Sequence, residues 1–326
     1  MASVLKEAYF RDEQAAFAAL ESIMWPEGKP PHCPHCGVAD KCNKLAPQKS
    51  KPSKRNPNGK PVYGLWKCYA CRGQFTVRKG TVFEESRLEL HLWFQAAFLM
   101  CSSKKGVSAN QLHRTLGCTL KTAWFVAHRL REAMAEGNLN PFGSGGGIVE
   151  SDEVFLTRRR RKGDGRLAEL HKSKVLTLID RSTGRAKSTL VRNLHKETIM
   201  AAVNKNVSRD ARMMTDQAGH YKKAFVDFAG HETVDHSKEE CVRGEAHTNT
   251  AEGFFSLFKK GVKAIYQHVD EKHLHRYLAE FDFRYNHRIA NGMDDVSRTQ
   301  HAIKGAKGKR LTYRVARSNP FAASRA

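Results

Sequence analysis

Two C-x-x-C pairs constrain this chain more than any other feature. Cys33-Pro-His-Cys36 and Cys68-Tyr-Ala-Cys71 stand 31 residues apart, each in a short run rich in Gly, Pro and Lys. Two such knuckles suit four thiolates around one tetrahedral zinc ion, and a closed four-thiolate site stabilises a small ribbon and leaves no position open for catalysis. His32, His35 and Cys42 are further possible ligands, subordinate to the four cysteines. Eight cysteines in 326 residues are not the disulfide framework of a small secreted domain. The N-terminus has no apolar signal core, and the longest apolar stretch, around Leu92 to Met100, is too short to span a bilayer. The expected compartment is therefore the cytoplasm.

Charge narrows the partners. The chain carries 56 Lys+Arg against 33 Asp+Glu, a formal charge of +23, which attracts a phosphate backbone at long range. Nucleic acid is the natural partner. A hydrophobic fraction of 40% suffices for packed cores, and the length allows two or three domains.

Along the chain, residues 8–25 read as an amphipathic helix with Asp12 placed to cap it, stopped by Pro26, Gly28, Pro30 and Pro31. The ribbon follows, with a Lys- and Pro-rich loop from Lys49 to Pro61 between its knuckles. From Leu88 to Met134 the pattern is helical. Two helices flank Gly117 with Ser108 and Thr119 as N-caps, in the cadence of a helix-turn-helix. Lys121, Thr122, His128 and Arg129 would be its DNA-facing side chains. Pro141 to Gly147 is the best domain boundary.

Beyond that break come strands at 148–156, 174–180, 188–194, 212–216 and 232–236. Helices are expected at 196–204, 220–228, 249–266 and 271–287, and the pattern fits a multi-domain α/β chain with a mixed sheet. The expected divisions are residues 1–80, 81–140 and 141–290, with a basic and poorly ordered tail at 291–326.

Three acids stand out in the second half. Asp152 sits inside the apolar run from Ile148 to Leu156, Asp216 ends a second apolar strand, and Glu252 opens a helix whose other face is Phe254, Phe255, Leu257 and Phe258. Charges at neighbouring strand ends are costly unless cations neutralise them, as a pair of divalent ions does. Lys259 follows Glu252 by seven residues, on nearly the same helical face and about 10.5 Å along the axis. It is placed to hold DNA while the glutamate holds metal. Glu150 and Glu153 flank Asp152 and are expected on the opposite face of the strand. Glu245 and Asp235 are alternatives for the third acid, and Asn249 could support it. The basic run Arg158, Arg159, Arg160, Arg161 and Lys162 follows the Asp152 strand as a phosphate clamp or a solvated loop.

At these residues the chain resembles the DDE transposases of bacterial insertion sequences, in the group with an N-terminal zinc ribbon and a ribonuclease-H-like catalytic domain. The likeness runs through W-P-x-G-K-P and C-P-H-C-G, R-K-G-T-V-F-E-x-S-R-L, S-K-K-G-V-S-A-N-Q-L and T-A-W-F-V-A-H-R-L-R-E-A-M. It continues through V-E-S-D-E, T-D-Q-A-G-H-Y, N-T-A-E-G-F-F-S-L-F-K-K-G and F-R-Y-N-H-R, collinear from about Asp12 to Arg288. In V-E-S-D-E, Ser151 stands where a hydrophobic residue is expected. The resemblance implies that Asp152, Asp216 and Glu252 form a triad holding Mg2+ or Mn2+, with Lys259 as the lysine that follows it. It further implies two-metal cleavage and strand transfer on double-stranded DNA. The ribbon and helix-turn-helix would bind terminal inverted repeats, and a homo-oligomer would join two ends at the bacterial nucleoid. A DNA-binding regulator without catalysis and a nuclease of the same fold are the alternatives.

Overall fold

The computed structural model describes residues 4–52, 57–137, 140–156, 173–216, 221, 224–234, 245 and 247–312. These divide into two compact units, one of residues 4–103, 107–134 and 295–312 and the other of residues 104–106 and 135–294.

The first unit begins with 3-10 turns at Val4–Lys6 and Ala8–Phe10 and helix α1 at Glu13–Met24. The Asp12 carboxylate accepts from the Ala15 N–H at 2.7 Å, capping the helix. Strands β1 (Cys42–Lys44), β4 (Leu65–Cys68) and β5 (Gln74–Thr76) form an antiparallel sheet in that order, and β2 (Gln48–Lys49) pairs with β3 (Pro61–Val62) at the Lys- and Pro-rich loop. Trp66 and Phe75 pack with Cys33, Cys42 and Cys68 into a core too small to stand on hydrophobic burial alone. The ribbon is also tied to α1. Buried Glu21 accepts from Trp66 Nε1 at 2.9 Å and pairs with Lys44 Nζ at 2.5 Å.

Helices α2 (Leu90–Ser102), α3 (Ala109–Leu116) and α4 (Leu120–Met134) follow. The Ser108 hydroxyl accepts from Gln111 N at 3.1 Å and Thr119 Oγ1 from Thr122 N at 3.2 Å, so both expected caps form. Gly117 takes the left-handed conformation between α3 and α4 (φ 64°) that an L side chain resists. The expectation of a poorly ordered tail from residue 291 is corrected. A 3-10 turn spans Ile289–Asn291, and a further helix spans Asp295–Lys304. That helix buries Thr299, Ala302 and Ile303, and its Arg298 donates to the Cys101 carbonyl at 2.8 Å. Alanine and isoleucine on one side of an otherwise polar helix give little periodic signal. Residues 313–326 of that tail lie outside the described residues.

The second unit is built on a five-stranded mixed sheet. Strands β6 (Ile148–Leu156), β7 (Ser173–Asp180) and β8 (Arg185–Val191) form an antiparallel meander. Strands β9 (Arg212–Asp216) and β10 (Gly230–Val234) add on the other side of β6, parallel to it, giving the order β10-β9-β6-β7-β8. Helix α5 (Lys196–Asn206) connects β8 to β9, and α6 (Asn249–Lys260) and α7 (Glu271–Asn286) follow β10.

Strand alternation sorts the core. Val149, Leu176, Leu178 and Met213 face one side with Ile199 and Val203 of α5 and with Tyr221, Phe225 and Phe228. Val154, Val175, Ile179 and Ala186 face the other, under Phe254, Phe255 and Phe258 of α6 and Leu274, Leu278 and Phe281 of α7. The helix expected to run from 249 to 266 changes at Gly261 into a π-helical turn, Gly261–Tyr266. Where a helix was expected at 220–228, residues 224–229 form turns and bends.

Candidate functional site

The four knuckle cysteines converge. Cys33 Sγ lies 3.7 Å from Cys71 Sγ, and Cys36 Sγ lies 3.7 Å from Cys68 Sγ. All four sulfurs lie within 4.8 Å of one another. A tetrahedral zinc ion with Zn–S bonds of about 2.3 Å spaces its sulfurs about 3.8 Å apart, so the donor set fits Zn2+ in both chemistry and spacing. Cys42 is buried beside this cluster but outside it, paired across the sheet with Cys68. His35 turns its ring edge-on to Phe75.

The acids lie on the second unit's sheet. The parallel pairing of β6 and β9 matches Ile148 with Arg212, Val149 with Met213 and Glu150 with Met214. Continued for two residues, that register brings Asp152 level with Asp216 on strands about 4.8 Å apart. Asp152 shares the strand face of Val154, which packs beneath α6, the helix whose first turn carries Glu252. The Asp152 carboxyl is pushed up to about 7, first by burial and then by the charges of Glu153, Asp216 and Glu252. Its Oδ1 accepts from the Glu153 N–H at 2.7 Å, which favours the charged form and partly offsets that rise. Chemically this is a concentration of negative charge on a half-buried strand, the electrostatic setting that a divalent cation relieves. Among the described residues these carboxylates are not gathered within 4.8 Å as the thiols are.

The neighbours of Asp152 have parts of their own. Glu153 faces away from it, as expected, and accepts from the Tyr221 hydroxyl at 2.6 Å. Ser151 is buried on that same face, its hydroxyl 3.3 Å from the Tyr221 hydroxyl, which is why a polar residue is accommodated at a core position. Burial and the charge of Asp216 push Glu153 up to about 7 against the opposing Tyr221 hydrogen bond. Glu150 corrects the sequence expectation. Two residues from Asp152, it shares the Asp152 face, and it is 0% exposed beneath the start of α6. Tyr221 and Arg181 were both missed. Tyr221 closes the T-D-Q-A-G-H-Y motif, a signal that was present, whereas Arg181 lies in a turn outside every motif.

Of the candidate DNA contacts, Lys259 and Lys121 are exposed, on α6 and on the first turn of α4. Arg129 is not. It is 6% exposed, and its guanidinium donates to the carbonyls of Val82 and Glu84 at 2.9 Å each and of Leu311 at 3.2 Å, which removes it from a DNA-facing role. His128 is likewise buried, its ring 4.0 Å from that of Trp124. Beyond its first turn, α4 packs against α3, α2 and the helix at Asp295–Lys304. Glu245 is exposed and paired with Arg212 at 2.8 Å, and Asn249 is exposed at the start of α6. Arg158, Arg159, Arg160 and Asp235 lie outside the described residues. Among the described residues no helix is long and apolar enough to cross a membrane.

Comparison with known proteins gives two family matches in chain order. Residues 11–74 match the transposase zinc-ribbon domain and residues 145–286 match the ISXO2-like transposase domain. A protein of Halobacterium salinarum, described as an uncharacterised protein in transposable element ISH50, is 26% identical over 291 residues, covering 84% of this chain and 91% of that protein. A cryo-EM structure of the simian T-cell lymphotropic virus intasome with the PP2A regulatory subunit B56 gamma aligns at a TM-score of 0.29 and 13% identity. That alignment spans 59% of this chain and 65% of the other, a likeness too slight to argue from.

Proposed function

We propose, from the premise that this chain belongs to the ISXO2-like transposase family with its zinc-ribbon domain, that Asp152, Asp216 and Glu252 are the carboxylates at which DNA ends are cut and joined. The observation that carries this reading is the strand register that brings Asp152 level with Asp216, beneath the helix whose first turn carries Glu252. The mixed sheet supports it as well. An antiparallel meander followed by two parallel strands beside its first strand is the arrangement of a ribonuclease-H-like domain, with Asp152 on the central strand and Asp216 at the end of its neighbour.

Asp152 and Asp216 would hold Mg2+ or Mn2+ between adjacent strands, and Glu252 would hold it from the helix above. A divalent ion bound there supplies Lewis-acid activation of the phosphodiester and neutralises charge on the reacting oxygens. Lys259, exposed on α6 about two turns beyond Glu252, offers its ammonium to a backbone phosphate and sets the register of DNA against the carboxylates. Lys121 does the same for the helical segment of the first unit. The four thiolates of Cys33, Cys36, Cys68 and Cys71 hold zinc and fold the ribbon. Terminal inverted repeats are the DNA substrate, and two or more copies bring two ends together.

The test uses purified protein, a labelled fragment carrying the element's own terminal repeat, and a target plasmid in Mg2+ or Mn2+. Nicking at the repeat end and joining to the plasmid is the expected result. Binding without nicking would replace this reading with a DNA-binding regulator, and nicking without joining with a nuclease.

A further inference from the structure

The first turn of α6 lacks the cap that its own sequence would ordinarily supply. Thr248 occupies the N-cap position without a side-chain capping bond, and the first N–H groups of any helix have no partner within it. Glu150 supplies the bond from a different element. Its Oε2 accepts from the Ala251 N–H at 2.9 Å and its Oε1 from the Thr250 hydroxyl at 2.8 Å. A carboxylate at a helix N-terminus is favoured by the aligned peptide dipoles, yet one with 0% exposure is costly without a counter-charge.

Arg181, just past the end of β7, provides that charge. Its Nε donates to Glu150 Oε1 at 2.6 Å. Its remaining nitrogens reach the segment entering α6: the Glu245 carbonyl at 2.7 Å, the His247 carbonyl at 2.7 Å and His247 Nδ1 at 2.8 Å. One guanidinium thus binds the buried carboxylate and the approach to the helix together. A lysine could not make both sets of contacts, because it lacks the planar fork.

The placement matters because of what lies on either side. Glu150 is two residues from Asp152 on the same strand face, about 6.7 Å along the strand. The N–H it holds belongs to Ala251, the residue before Glu252. We propose that Glu150 and Arg181 are positioning residues that clamp the first turn of α6 onto β6 and so fix the separation of Asp152 and Glu252 before a divalent ion binds. The proposal rests on the reading of Asp152, Asp216 and Glu252 as the metal-holding carboxylates. It also accounts for V-E-S-D-E residue by residue: Val149 for the core, Glu150 for the helix, Ser151 and Glu153 for Tyr221, and Asp152 for the site.

The test measures Mn2+ binding to the full-length protein by electron paramagnetic resonance, together with the thermal midpoint and zinc content, for wild type, Glu150→Gln, Arg181→Lys and Asp152→Asn. The expected result is about a tenfold weaker Mn2+ affinity in Glu150→Gln and in Arg181→Lys, with zinc unchanged. In the end-joining assay, high Mn2+ should restore much of the rate of both variants, as a disturbed spacing allows, but should not rescue Asp152→Asn. A lowered thermal midpoint with wild-type Mn2+ affinity would make the pair purely structural and overturn the clamp. Arg181→Lys keeps the charge and serves if Glu150→Gln fails to fold. Wild-type Mn2+ binding by Asp152→Asn would instead overturn the metal site itself, and the clamp with it.

Discussion

Asp152→Asn should abolish activity and at the same time make the second unit more stable. In the folded chain the carboxyl is raised from 3.8 to about 7 by burial, with the charges of Glu153, Asp216 and Glu252 adding to it. Because the folded-state pKa lies above the unfolded one, the stability of the neutral form is fully present below about pH 4 and is lost as the pH rises through about 7. The rise from 3.8 to about 7, at about 1.36 kcal/mol for each tenfold change in proton affinity, sets a ceiling of about 4 kcal/mol above pH 7. Asp152 keeps some exposure, so about 2 kcal/mol is the working figure. Asparagine removes the charge and retains an oxygen to accept from the Glu153 N–H. For a domain of this size that is about 4–8 °C in the thermal midpoint. Scanning calorimetry of both proteins in chelator, from pH 4 to pH 8.5, reads the effect. The advantage of the variant should grow between about pH 4 and 7 and level off above, and Mn2+ should raise the midpoint of the wild type more than that of the variant. A variant no more stable than wild type at pH 8, or an advantage equal at pH 4 and pH 8, would refute the argument.

Replacing Cys33 and Cys68 together by serine should remove about one zinc equivalent per chain, read by metal analysis, and should melt the ribbon, because a structural zinc site contributes folding energy directly. Unchanged zinc content would reject the four-thiolate site. Lys259→Ala should weaken binding across DNA sequences alike and lower the salt slope of the affinity by about 1, read by fluorescence anisotropy over a salt series, with little change in stability. Arg129→Ala should do the reverse. With three carbonyl acceptors losing their donor, about 3 kcal/mol of first-unit stability should go, whereas the DNA affinity of the folded protein should hold, as denaturant melts and anisotropy on the same samples would show.

Much of the architecture was legible because local chemistry and tertiary structure agree. The caps at Asp12, Ser108 and Thr119 form as their side chains suggest, and the apolar runs at 148–156 and 212–216 are strands. The cysteine spacing alone sufficed for the ribbon's sulfur cluster. What escaped the sequence depends on partners distant along the chain. Arg129 has the type and position of a DNA-facing residue, and only the carbonyls of Val82, Glu84 and Leu311, up to 182 residues away, make it part of a core. Arg181 carries no motif, and its role exists only where the β7 turn meets the entry to α6. Glu150 is the exception, since a period of two along the strand already places it with Asp152. The helix at Asp295–Lys304 is stabilised by packing in the first unit, which a polar and basic composition does not announce.

If Asp216 and its two companions carry the chemistry, removing one of them must stop it. End cleavage and joining by Asp216→Ala, compared with wild type at equal DNA occupancy in Mg2+ and in Mn2+, measures this. Repeat binding should stay close to that of wild type, with no nicked or joined product in either metal. Full joining activity in Asp216→Ala would show that the chemistry lies elsewhere.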